Sequence, residues 1–151
     1  MDISKIVIRV ASDVDKLKIV KLSKEWEQEN STYGFYADEI EYINENRCFV
    51  ACYEENIVGY IMGNLCESKK MKSIMQEGTQ YFEVEEIYIT PKYRNFGIGS
   101  MLFDYLENVL SNENIKEMLL STATKDYESI LNFYIKRKGM QFWSARLFKH
   151  L

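Results

Sequence analysis

Val84 to Ser100 reads VEEIYITPKYRNFGIGS, and the order of residue types along this stretch decides the fold. The run up to Thr90 is rich in β-branched and aromatic residues, as a strand is, and Pro91 ends it because proline has no N–H to give to a ladder. Arg94 follows, then Gly97 and Gly99. Beyond them Ile98, Met101, Leu102, Tyr105, Leu106 and Val109 fall on one stripe at helical spacing. A strand, a glycine turn and a new helix form an anion cradle. The glycines let backbone N–H groups approach a ligand, the helix aims its positive end at the same place, and Arg94 adds a permanent charge. The dipole alone contributes about 0.3–1 kcal/mol, so several aligned N–H donors and the arginine are needed to hold a pyrophosphate.

Two other glycine motifs do not fit. A phosphate loop of the nucleotide-hydrolase type needs Gly-Lys-Ser/Thr, and here Ser100 follows Gly99 directly. A dinucleotide fingerprint needs a third glycine three residues on, where Leu102 stands.

Working outward, Ile6 to Val10 is a short strand. Ser12 caps a helix from Asp13 to about Glu29, with Asp15 completing a capping box and Val14, Leu17, Val20 and Trp26 contributing to an apolar stripe. A second short helix covers Ala37 to Asn44. Arg47 to Tyr53 and Ile57 to Cys66 are apolar runs separated by three polar residues, which is hairpin spacing. Glu67 to Gly78 is a polar loop before the strand Gln80 to Thr90. After the central helix, Glu117 to Thr122 is a strand, and Tyr127, Ile130, Leu131, Tyr134 and Ile135 mark a helical face that Gly139 terminates. Two further strands are expected, around Met140 to Trp143 and Ala145 to His150. The expectation is a mixed α/β (α+β) sheet of about seven strands flanked by about four helices on both faces.

The chain has 151 residues, of which 46% are hydrophobic and 28% charged. That suits one domain over residues 1–151 with a proper core, not a disordered chain. No apolar run is long enough to span a bilayer and no signal-type core follows Met1, so we expect a soluble, cytoplasmic protein with no membrane partner. Cys48 and Cys52 lie about 13 Å apart along one strand, too far for a disulfide, and Cys66 stands alone. With His150 the only histidine, no Cys/His metal cluster can be assembled, and no metal is expected. The net charge of -4 disfavours nucleic acid. Its distribution is polarised: Lys21 to Glu45 holds seven acids (Glu25, Glu27, Glu29, Asp38, Glu39, Glu41, Glu45) against two bases, whereas Lys125 to Leu151 holds six bases against two acids. Such a molecule can hold a cation at one end and an anion at the other. Trp26, Tyr36 and Glu27 are candidates to wall a site for a cationic amine. Adjacent residues of a regular strand point to opposite faces, so only one of Glu85 and Glu86 is expected to face a reacting centre.

Arg94, Gly97 and Gly99, in this strand-and-helix setting, resemble the Arg/Gln-x-x-Gly-x-Gly/Ala loop of the GNAT superfamily of acetyl-coenzyme A-dependent N-acetyltransferases. The likeness runs over nearly the whole order of elements and includes Asn132, Phe133 and Tyr134. Within the superfamily the chain is similar to spermidine/spermine-type (polyamine) acetyltransferases at Glu85 and Glu86, Arg94 to Ser100, Asn132 to Tyr134, and Arg146 to Lys149.

This resemblance implies transfer of the acetyl group of acetyl-CoA to a primary amine, by direct attack in a ternary complex. It implies that backbone groups of Ile87 and Ile89 pair with the pantetheine arm and that Asn95, Phe96, Gly97, Ile98, Gly99 and Ser100 hold the pyrophosphate with Arg94 alongside. Glu85 matches the general base and Tyr134 the acid that protonates the departing thiolate. The expected acceptor is a small cationic, polyamine-like molecule. Other readings are a protein or peptide amine as acceptor, or a non-catalytic acyl-CoA-binding module. The resemblance also allows a homodimer supported by the C-terminal strands.

Three positions depart from the family pattern. Asn95 replaces a common glycine, which asparagine's tolerance of the left-handed region accommodates. Tyr127 stands where an asparagine is frequent. Tyr134 lies five residues before Gly139 and not four, so either the helix is one residue longer or Ile135 occupies the tyrosine's place.

Overall fold

The computed structural model describes residues 1–151. Five strands, β1 (Ile6–Val10), β2 (Arg47–Tyr53), β3 (Asn56–Glu67), β4 (Gln80–Ile89) and β5 (Met118–Leu120), form one mixed sheet in that spatial order. The first four run antiparallel, and β5 joins β4 in parallel after the crossover helix α3 (Ile98–Asn112). Helices α1 (Asp13–Glu29) and α2 (Ile40–Glu45) precede β2, and α4 (Tyr127–Leu131) continues as a π-helical turn over Asn132–Arg137.

The sheet separates two cores. On one face Phe49, Ile61, Phe82 and Val84 pack against Ile98, Leu102, Leu106 and Leu110 of α3 and against Tyr134. On the other, Val50, Tyr60, Met62 and Tyr88 pack against Ile19 and Leu22 of α1 and Ile43 of α2.

Helix α1 begins as its sequence predicts: the Ser12 hydroxyl accepts from the Asp15 N–H while the Asp15 carboxylate accepts from the Ser12 N–H at 2.8 Å. Its buried face is set differently. Asp15, Ile19, Leu22 and Ser23 are buried, whereas Val14 and Leu17 of the expected stripe are exposed. The ion pair between Asp15 and Arg9 of β1 turns Asp15 inward and fixes the rotational phase of the helix.

The strand count is a correction, five and not about seven. Met140 to Trp143 and Ala145 to His150 form no strands, and every residue from 141 to 151 is exposed. Strand-forming residues make a strand only when a neighbour supplies a ladder, and none of the five strands pairs with this segment.

Strand β4 carries the irregularity that matters for the site. Gly63 of β3 pairs with Val84 but its neighbour Met62 pairs with Glu86, so Glu85 is an extra residue, a β-bulge. The bulge needs Gly63: a Cβ built there would lie 2.0 Å from the Glu83 carbonyl oxygen. Pairing of β4 with β5 covers only Phe82–Met118, Glu83–Leu119 and Val84–Leu120. Past Val84 the edge of β4 that faced β5 is open.

Candidate active site

The open edge of β4 points the right groups outward. The Phe82 N–H donates toward β5, to the Glu117 carbonyl at 2.9 Å, while the Thr90 N–H donates toward β3, to Val58. Backbone groups alternate along a strand, and the extra residue at Glu85 shifts the alternation by one. The outward set beyond the bulge is therefore Ile87 and Ile89, whose side chains pack with the α3 core.

Directly after β4, a 3-10 turn over Pro91–Tyr93 leads into the loop. Asn95 adopts φ +65° and Gly97 φ +83°, two left-handed residues within three positions. Gly97 caps α3 without any side-chain bond, and the first helical bond runs from the Met101 N–H to the Gly97 carbonyl. The N–H groups of Ile98, Gly99 and Ser100 thus have no helical partner, and no acidic side chain occupies the first turn. This uncompensated positive helix end, beside an exposed Phe96 and a free strand edge, fits a ligand carrying both a pyrophosphate and an amide-bearing arm.

Arg94 is turned elsewhere. Its Nη1 and Nη2 donate to Glu29 Oε1 and Oε2, both at 2.8 Å, and its Nε donates to the Ile89 carbonyl at 2.8 Å. Tyr88 donates its hydroxyl to the same Glu29 carboxylate at 2.8 Å, and its ring lies 5.4 Å from the guanidinium carbon. Burial pushes the Glu29 carboxyl up, but the bonds from Arg94 and Tyr88 outweigh it and hold the group below its ordinary range.

The last turn of α1 is further tied to β4 by Trp26, which stacks on Tyr88 at 5.3 Å and on Phe35 at 4.1 Å. From there the chain crosses to the segment after β5: the Tyr33 N–H donates to Ala123 and the Lys125 N–H to Ser31, each at 2.9 Å, around a Thr32–Thr124 bridge. Beyond Val84 and Leu120 the two strands no longer pair, and four residues after Leu120 the chain leaving β5 bridges instead, at Thr124, to Thr32 of the segment that follows α1. The result is a framed opening bounded by β4, by Ser121 to Ala123 and by this strap.

An acidic group lies on the α1/α2 face of β4. The bulge puts Glu85 and Glu86 on that same face, against the expectation of opposite faces. Their environments differ. Glu86 is buried, accepts from the Tyr60 hydroxyl at 2.6 Å and lies near Asp38; burial, aided by Asp38 and opposed by Tyr60, pushes its carboxyl up to about 9. This environment favours its protonated form. Glu85 is exposed beside Tyr42 of α2, whose hydroxyl is pushed up to about 12 by burial and by the Glu85 carboxylate. Asp38 is held by Ser23, whose hydroxyl accepts from the Asp38 N–H at 2.9 Å.

Tyr134 sits in the other core, 6% exposed, with ring centroids 6.0 Å from Phe103 and 5.1 Å from Phe133. Burial alone raises its pKa. Thr90 Oγ1 is the one sealed side-chain polar atom without a partner, so the Tyr134 hydroxyl, which bonds to no protein group, opens onto accessible space. The wide turn that carries it has the Lys138 N–H donating to the Phe133 carbonyl five residues back. This turn absorbs the additional residue before Gly139 and keeps Tyr134, not Ile135, in the buried position.

Of the residues read as an amine wall, Trp26 lines the strap, while Glu27 is exposed and Tyr36 is 78% exposed. The sequence reading did not single out Tyr42, Tyr60, Tyr88 or the pairing of Glu29. Only the acidity of the Glu25 to Glu45 region pointed toward them.

A family model described as the acetyltransferase (GNAT) family matches residues 12–140. Among curated proteins none is similar to this chain in sequence. Similar solved structures include an aminoglycoside acetyltransferase from an uncultured soil metagenomic sample, in complex with trehalose, at 17% identity and TM-score 0.73 over 99% of this chain and 98% of that one. A ribosomal-protein-alanine N-acetyltransferase from Brucella melitensis biovar Abortus has 16% identity and TM-score 0.69, covering 96% of this chain and 99% of its own. A protein from Clostridium acetobutylicum, described as a predicted acetyltransferase and solved with acetyl-CoA, has 17% identity and TM-score 0.71, with 96% of each chain covered. At these identities the structures establish the shared fold, and the family model covers most of the chain: it belongs to the GNAT family of acetyl-CoA-dependent N-acetyltransferases.

Proposed function

We propose that the protein transfers the acetyl group of acetyl-CoA to a primary amine of a small cationic, polyamine-like acceptor, by direct attack in a ternary complex. The observation that carries this reading is the acidic group on β4, where one carboxylate, Glu85, is exposed while its neighbour Glu86 is buried and bonded to the Tyr60 hydroxyl. An exposed carboxylate beside Tyr42 attracts an alkylammonium and receives its proton, which must leave before the nitrogen can attack because the ammonium pKa is about 10.4. The amine nitrogen then bonds to the acetyl carbon, the carbon–sulfur bond breaks with a proton passing from Tyr134 to the departing thiolate, and the surplus proton on the nitrogen leaves through solvent to restore Tyr134. Glu85 is the base in this reading, because it is exposed to an incoming amine whereas Glu86 is buried against Tyr60.

On the cofactor side, Asn95 to Ser100 hold the pyrophosphate with backbone N–H groups, and Ile87 and Ile89 pair with the pantetheine arm along the open strand edge. Arg94 borders this loop. Trp26 forms the aromatic wall of the acceptor site, with Glu27 and Tyr36 at its rim. The three free cysteines suit a reducing, cytoplasmic setting. The exposed run of Phe142, Trp143, Leu147 and Phe148 supports a homodimer that covers it.

Glu85→Gln and Tyr134→Phe test the chemistry. Each is expected to lower kcat by roughly 10²- to 10⁴-fold, the span of general acid–base contributions, with acetyl-CoA affinity unchanged. Full turnover in Glu85→Gln would remove Glu85 as the base.

A further inference from the structure

We propose that Glu29, at the end of α1, is a positioning residue for the cofactor loop, and that it acts through Arg94. This rests on the reading above that the Asn95 to Ser100 loop holds the pyrophosphate of CoA.

The geometry is that of a clamp. Arg94 is the residue immediately before the loop, and three of its five N–H donors are committed, two to the Glu29 carboxylate and one to the Ile89 carbonyl. A planar guanidinium bonded twice to one carboxylate is fixed in orientation as well as in place. Its backbone is fixed too, since the Arg94 N–H donates to the Pro91 carbonyl at 3.2 Å. From this anchored point the chain enters Asn95 and Gly97, both at positive φ, before α3 begins. A non-glycine residue in the left-handed region carries a conformational cost, and it persists where its surroundings hold it. Arg94 is the hold on the upstream side of the loop, and Glu29 is what holds Arg94.

Electrostatics points the same way. A guanidinium whose charge is matched by a carboxylate 2.8 Å away presents little net positive charge to a pyrophosphate. The attraction for phosphate in this site therefore comes from the uncapped N–H groups of α3, and Arg94 sets where they stand. The clamp also spans the two halves of the site: Glu29 is two residues before the Ser31–Lys125 contact of the strap, and Arg94 is one residue before the loop. The segment framing the acceptor side is thus bonded directly to the segment that starts the cofactor side.

Calorimetric titration of CoA into the wild type, Glu29→Gln, Arg94→Gln and the double variant tests the clamp, with thermal melts to confirm folding. The expected result is that both single variants weaken CoA binding by about tenfold and that the double variant is no weaker than either. In steady state, Glu29→Gln should raise KM for acetyl-CoA by a similar factor with kcat at saturation within about twofold, a split that general destabilisation does not produce. If Arg94 instead binds phosphate directly, Glu29→Gln frees its charge and binds CoA as well as or more tightly than the wild type. That result, or additive losses in the double variant, overturns the inference. A wild type that binds no CoA overturns the acetyltransferase reading of the loop and this inference with it, whereas equal binding by wild type and Glu29→Gln overturns the inference alone.

Discussion

The two faces of β4 are built from one strand and do opposite things. Toward α3 the strand presents Phe82, Val84, Ile87 and Ile89 to an apolar core in which Tyr134 is the one buried tyrosine. Toward α1 and α2 it presents Glu85 and Glu86, which meet Tyr42, Tyr60 and Asp38, and Tyr88, which is bonded separately to Glu29. A regular strand could not place Glu85 and Glu86 together. The bulge opposite Gly63 does so, and the same extra residue turns the backbone groups of Ile87 and Ile89 toward the opening beside β5. In the proposed reaction, one inserted residue therefore builds both the acceptor face and the cofactor edge.

The strongest way to break this difference is Gly63→Ala. Its Cβ would meet the Glu83 carbonyl at 2.0 Å and the Phe82 ring at 2.8 Å, so the backbone must move. We expect a loss of about 3 kcal/mol or more in urea unfolding, within the range of severe backbone and overpacking changes, and turnover reduced further than stability alone explains. Unchanged stability and activity would mean that the bulge does not depend on this glycine.

Glu86→Gln sharpens the contrast between the two carboxyls. The folded protein keeps the Glu86 proton up to about 9, while an unfolded glutamate releases it near 4.5. The folded state binds more protons across that window, so the contribution of Glu86 to stability is full below it and is lost as pH rises through it. Thermal melts of the wild type from pH 5 to 9 should show a declining Tm, and Glu86→Gln should flatten that decline while keeping turnover within about tenfold of the wild type. A smaller effect is expected on the far side of α1, where Leu17→Ser changes an exposed residue and should alter stability by no more than about 0.5 kcal/mol by chemical denaturation.

Local chemistry was legible in the sequence. The strand ending at Pro91, the left-handed tolerance of Asn95, the helix from Ile98 and the Ser12–Asp15 box all depend on neighbours a few residues apart, and each is found in the structure. What escaped depends on partners far along the chain. The bulge is in β4, but its signal is Gly63 on β3, meaningful only once the two strands are paired in register. Arg94 and Glu29 are 65 residues apart, so spacing gives no hint of their pairing. The phase of α1 departs from its apolar pattern because a charged residue, Asp15, faces inward to meet Arg9. The C-terminal segment has strand-forming residue types but no ladder partner to make it a strand.

The proposed reaction is acetyl transfer to a cationic amine across the acidic face of β4. Its most direct test is release of free CoA thiol from acetyl-CoA by the wild type against spermidine, spermine, aminoglycosides, amino acids and lysine peptides. We predict strong turnover with the polyamines and little with neutral or anionic amines. Binding of acetyl-CoA with no turnover on any of these acceptors would contradict the account.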